Sequence, residues 1–398
     1  MDAWFKLVYG WGYDQARPAE AARRIPVPDP YVACATGDRR TIERILDGDP
    51  EWANRAGGPL GMPPLVAVTF SGLVRLPQYA EGLRQSCLIL LARGAGANQS
   101  WTDPAYPQSP LSALYGAAGR NHDAAMTRIL LEGGADPNDN ESLYHATEAN
   151  DLTCVRLLLK YGARVDGTNA LCHMLDSDNV EGLRLLLAHG GDANERGGFP
   201  LRHAIRRRRS LAHVEALVDA GADPAAIGED GLSPFVRALL HGLPEVAARL
   251  ETPGARESLT ERQRFAAACA RGDGEEARAM LKADAQLIGR LSEEELKLLP
   301  ELAAEGAREA VRLMVELGWP VAVRGGDWKA SALNHAVFRG DAELTRFLLE
   351  HGASWREEHG FGDNVCGTLA YARHNRPAIG GNWEGCAEAL RAHGAPVV

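Results

Sequence analysis

His145 is followed three residues later by Glu148, and His173 by Asp176. On a helix that spacing puts both groups on one face. Such a pair can move a proton, the carboxylate orienting the imidazole, or supply two ligands to a metal ion. His203 lies in the run "RHAIRRRRS", Arg202 to Ser210, whose Arg206 and Arg207 have the planar, two-pronged donors that suit a carboxylate or a phosphate. Arg237, His241 and His335 add further cationic or titratable groups. Near the C-terminus "HGFGDN" sets Asp363 and Asn364 among glycines, downstream of Trp328. The glycines would let Asp363 and Asn364 approach a ligand there, or tie down the finger of Trp328. The chain has no G-x-S-x-G or H-E-x-x-H motif, and its glycines lack the spacing and lysine of a phosphate loop. Nothing identifies a nucleophile or a substrate for the His/Asp pair, so the expectation is no catalytic residue, no metal and no cofactor.

The elements that would hold these residues are helical repeats. The phrases "SLYHATEANDLTCVRLLLKYGARVD", "ALCHMLDSDNVEGLRLLLAHGGDAN" and "ALNHAVFRGDAELTRFLLEHGAS" are variants of one another. In each, an apolar residue opens a first helix and a glycine follows a second. Leu143 to Gly162, Leu171 to Gly190, Phe235 to Gly254, Leu299 to Gly318 and Leu333 to Gly352 all span 19 positions. Phe265 to Asp284 and Pro30 to Asp49 keep the interval with Asp in place of the glycine, and the copies closing at Gly94, Gly134, Gly221 and Gly394 are stretched. The phrase resembles the ankyrin repeat. That resemblance implies an all-α, ankyrin-type solenoid of stacked helix pairs, about eleven units over residues 30–398. A single pair cannot bury its apolar faces alone, so most of the Leu, Ala and Val content belongs to the core.

Counting the opening apolar residue as position 3, position 5 points about 200° away from it around the helix. In ankyrin-like proteins that side is the concave groove. Position 5 is His145, His173, His203, Arg237 and His335 in five units, and positions 8 and 9 add Glu148, Asp176, Arg206, Arg207 and His241. The family's signature His comes one residue earlier, so these imidazoles are read either as displaced structural groups bonding a neighbouring loop or as groups facing a ligand. The Arg run is read either as a solvated turn or as an anchor for acidic groups on a partner. The linkers Asn138 to Leu143, Asp166 to Leu171 and Asn194 to Leu201 are too short for a full hairpin finger, whereas "VAVRGGDWKASAL" restores one.

Residues 1–29, with Trp4, Phe5, Tyr9, Trp11 and Tyr13, are expected to form an aromatic, Pro-rich cap, with a partner-binding arm as the alternative. A polar segment at 251–264 is a place where the solenoid could bend. In the last unit Trp383 is expected to cover the solenoid's end. A net charge of −10 repels a polyanion, which argues against nucleic acid. No stretch approaches the roughly 20 apolar residues of a membrane span. The seven dispersed cysteines lack any CxxC pair, and they fit reduced thiols in the cytoplasm. The resemblance therefore implies a cytoplasmic, monomeric scaffold that binds a protein or peptide partner, one with acidic groups, in its groove without catalysis. The rival is an unusual enzyme or metal-dependent accessory protein working at the His/Asp/Arg strip.

Overall fold

The computed structural model describes residues 2–10, 16–27, 29–104, 107–256, 258–378 and 380–397. Trp11 and Tyr13 lie outside the described residues. The chain forms two compact units, Met1–Asp192 and Ala193–Val398.

In the first unit short helices follow one another in pairs: Pro30–Thr36 with Arg39–Gly48, Pro64–Thr69 with Pro77–Ala92, Ser142–Ala146 with Thr153–Lys160, and Ala170–Met174 with Val180–Ala188. The insert "LVRLPQYAEG" is absorbed by a 3₁₀ turn at Gly72–Arg75 and by the first turns of the long helix after it. In another stretched copy, Ala113–Tyr115 continues as a π-turn over Gly116–Arg120 before the partner helix Ala124–Glu132. The second unit repeats the scheme with pairs such as Pro234–Leu240 and Pro244–Leu250, Leu298–Ala304 and Arg308–Glu316, Ala332–Arg339 and Ala342–Glu350, and Val365–Asn375 and Trp383–Ala392. Among the described residues no helix is long and apolar enough to cross a membrane.

The sequence dictates these short elements locally. Each opening apolar residue from Leu143 to Leu369 is buried. The closing glycines sit in the left-handed region, from φ 76° at Gly394 to 99° at Gly318, where any side chain would be strained. Where Asp replaces Gly, at Asp49 and Asp284, the backbone leaves the helix in an extended form instead, at φ −148° and −140°. Second helices start on carboxylate or amide caps such as Asp38, Asp123, Asn179, Asp273 and Asp341. First helices start on Ser112, Ser233 and Ser331 among others. Each such cap contributes about 1 kcal/mol.

Hairpin fingers occur where the linkers are long. β1 (Ser100–Thr102) pairs antiparallel with β2 (Pro110–Ser112), and β3 (Arg324–Gly325) with β4 (Ala330–Ser331). Around Leu143 and Leu171 the linkers fold as tight turns, as their length requires. A recurring asparagine brackets successive repeats in place of missing strands. Asn138 donates to the Gly162 carbonyl at 3.2 Å and accepts from the Arg164 amide at 2.9 Å. In the second unit Asn194 does the same with Gly221 and Asp223, at 2.7 and 2.9 Å.

At the N-terminus Trp4, Phe5 and Tyr9 are buried, and the Tyr9 hydroxyl donates to the Ala67 carbonyl at 2.9 Å. Arg120, half-buried, donates to the carbonyls of Gly10 and Phe70 and so holds the end of this segment against the repeats. At the other end Trp383 is buried, and its indole N–H reaches the Phe338 carbonyl of the preceding pair at 3.2 Å. It therefore wedges between helix pairs of the second unit, whereas the expected place was over the outer end. All seven cysteines are free; six are buried and Cys366 is half-buried.

Candidate functional site

In the first unit His145 stands at the end of Ser142–Ala146, half-buried, with Nδ1 2.7 Å from Glu148 Oε1 and Nε2 3.3 Å from Glu141 Oε2. The i, i+3 pair expected from the sequence is therefore formed, and a second carboxylate joins it. Burial pushes the Glu148 carboxyl up to about 7. His173 lies flat against Tyr144, ring centroids 4.0 Å apart, and its Nδ1 is within 2.9 Å of the Thr147 hydroxyl. The Asp176 side is exposed. Tyr115, Tyr144, His145 and His173 thus form one run of ring contacts, 4.0 to 6.5 Å between centroids. This patch could accept a proton or a hydrogen-bonding ligand.

In the second unit the strip is more closed than its helical position implies. His203 is 6% exposed and stacks on Phe199, His241 is 1% exposed, and His335 is 3% exposed under Trp328. Larger neighbours account for His203 and His335. Phe199, Trp328 and Phe338 bring bulky side chains up to first helices that otherwise carry small ones. Burial drives the His335 imidazole down to about 4. His241 falls to about 3, through burial and then the nearby charges of Arg237, Arg208 and Arg206. Both rings are neutral near pH 7.

The Arg run is no solvated turn. Arg206 donates to Asp327 at 2.7 Å, and Arg207 to the other Asp327 oxygen at 2.9 Å and to Glu305 at 3.3 Å. Arg237 pairs with Asp230. Burial alone would raise the Asp327 carboxyl, but the Arg206 hydrogen bond and the two guanidinium charges hold it below the usual range. These cations, expected to face an acidic partner, are matched within the chain.

Asp327 and Trp328 form the tip of the β3–β4 finger, and a cavity of ≈ 110 Å³ opens between it and Arg206, Glu301, His335, Phe338 and Arg339. "HGFGDN" closes over the same finger. The Gly360 amide donates to the Trp328 carbonyl at 2.7 Å, and the His359 ring meets the indole edge to face at 5.0 Å. Asn364 caps Val365–Asn375 by accepting from the amides of Cys366 and Gly367. Asp363 is exposed, its carboxylate folded onto the Asn364 amide and against Gly367, where a β-carbon would collide with it. The loop's contacts with the finger come from Gly360 and His359, while the side chains of Asp363 and Asn364 bond neighbouring backbone amides.

Two groups were not singled out as site residues in the sequence. Glu301, at position 5 of its unit, is mostly covered and lies 3.8 Å from His241 Nε2. Asp327 gave no local signal beyond its place in a Gly-rich linker. Among the described residues, no three His, Cys, Asp or Glu side chains converge on a point that could hold a metal ion.

Comparison with protein families matches residues 79–169 to ankyrin repeats, in three copies, within the first unit. Comparison with curated proteins finds no match. Residues 79–169 are thus ankyrin repeats, and the helix pairs, left-handed closing glycines, caps and intermittent hairpin fingers on either side continue the same scheme.

Proposed function

We propose that this chain is a non-catalytic recognition scaffold whose first-helix face and fingers bind a protein partner. Ankyrin repeats are generally protein–protein interaction modules, which supplies the class. The observation that carries the reading is an aromatic surface for which the fold has no use. Tyr371 is 58% exposed and stacks on Phe338 beside the finger, and Phe361 is 83% exposed at the tip of the loop that closes over Trp328. Exposed aromatic side chains with a polar surround are what interfaces use as anchors. Because Arg206, Arg207 and Arg237 are compensated inside the chain, the partner's acidic groups have less to bind there than the sequence implied. A reduced, cytoplasmic, monomeric protein with no nucleic-acid or membrane partner fits the free thiols and the acidic net charge.

The test is affinity purification of tagged protein from its native cell with mass spectrometry, run beside the Phe361→Ala/Tyr371→Ala double variant. We expect a polypeptide retained by the first and depleted at least tenfold by the second. Equal recovery would remove this surface from the reading.

One observation favours the rival, acid/base use of the first unit: the 2.7 Å contact between His145 and a Glu148 raised to about 7. For that reading His145→Ala must abolish a measurable reaction, whereas recognition requires only a change in binding.

A further inference from the structure

The second unit holds a larger cavity, ≈ 400 Å³, among the first helices of neighbouring pairs, with Asp230, Arg237, His241, Arg262, Glu295 and Glu301 in its walls. Its charges do not balance. Arg237 is met by Asp230, and Arg262 by Glu295 at 3.2 Å. Glu294, at the rim, is met by Lys297 at 2.7 Å. Glu301 is left over. Among the described residues its one ionic neighbour within 4 Å is the His241 ring, at 3.8 Å, and that ring is neutral.

His241 supplies an independent sign of a missing ligand. It is 1% exposed, lines the cavity, and keeps Nδ1 buried without a hydrogen-bond partner. With Nε2–H turned to the Glu301 carboxylate, Nδ1 is an acceptor that no group among the described residues serves. A covered carboxylate beside an unserved acceptor calls for a positive charge bearing several N–H donors. The nearby guanidinium groups do not fill that role, since Arg237 and Arg206 are committed to Asp230 and Asp327. Glu301 also lines the neighbouring cavity under Trp328, so a chain entering here continues toward the aromatic surface described above.

We propose that this cavity receives a lysine or arginine side chain of the protein partner, its cationic head on the Glu301 carboxylate and an N–H directed at His241. The inference rests on the recognition reading and names the chemistry of the partner.

It also fixes a pH dependence. Burial raises the Glu301 carboxyl to about 7. Arg206 from Glu195–Arg206 and Arg237 from Pro234–Leu240 pull it down, while Glu294 from Glu293–Leu296 and Asp327 of the finger push it up. His241 faces it uncharged. A bound cation favours the ionised form, so binding strengthens as pH rises through about 7.

The experiment selects displayed random dodecapeptides on the full chain at about pH 8, then measures synthetic copies of the selected peptides on wild type and Glu301→Gln. We expect enrichment of Lys or Arg, affinity roughly 30-fold weaker on Glu301→Gln, as for loss of one partner of a covered charge pair, and weaker binding to wild type at about pH 6. Selected peptides lacking Lys and Arg, or bound equally by the variant, would overturn the cation assignment and leave recognition standing. Enrichment of no peptide at all would defeat both.

Discussion

As a carboxylate, Glu301 costs the free protein stability. Its folded carboxyl is raised from 4.5 to about 7. Between those values only the folded state keeps the proton, so stability falls as pH rises through that window and the whole cost is present above it. Glu301→Gln removes the titration. Chemical denaturation should find the variant more stable than wild type by roughly 2 to 3 kcal/mol at about pH 8 and no more stable at about pH 4. A difference independent of pH would show that Glu301 is not held protonated by burial. The buried imidazoles of His241 and His335 act in the opposite sense, since their lowered values make the unfolded state the better proton acceptor as pH falls below 6.5. The arginines invite a second prediction. Arg206→Glu with Arg207→Glu sets like charges against Asp327 and Glu305, and should cost about 2 kcal/mol after allowance for the half-exposed Asp327. An unchanged melting temperature would return the run to a solvated turn.

At the scale of elements, what was legible in the sequence was whatever is decided within a few residues. Opening apolar residues, closing glycines and Asp or Ser caps each act on their own turn of helix, so repeat position alone located them. Fingers followed from linker length. Partner choice did not follow, because Arg206 and Asp327 are 121 residues apart and no local pattern ties them. Burial at position 5 was equally hidden. His145 and His335 hold the same place in their repeats, yet the latter lies beneath Trp328 and the former stays half open. The C-terminal loop separates two roles by substitution. Asn364→Ala removes a helix cap and should cost about 1 kcal/mol, with faster hydrogen exchange over 365–375, whereas Asp363→Ala, exposed and bonded only to its neighbour's amide, should fall within about 0.5 kcal/mol of wild type. Trp383→Ala opens a void between the last helix pairs and should cost about 3 to 5 kcal/mol. A small loss there would mean that Trp383 merely covers the surface.

For the molecule as a whole, stacked repeats make stability a sum of local terms and nearest-neighbour contacts. Leu333→Ala, in the core of the second unit, should therefore accelerate amide exchange through that unit's later pairs while leaving Met1–Asp192 unchanged. Uniform acceleration along the chain would show one cooperative body. The thiols offer a finer instrument for the same question. Six cysteines, at 34, 87, 154, 172, 269 and 386, are sealed in different helix pairs, and Cys366 alone is partly open. Burial raises the thiols of Cys34, Cys87, Cys154, Cys269, Cys366 and Cys386, so the sealed ones react only after their own pair opens. The order in which an alkylating reagent marks the seven positions is then a stopwatch record of the sequence in which the repeats come apart.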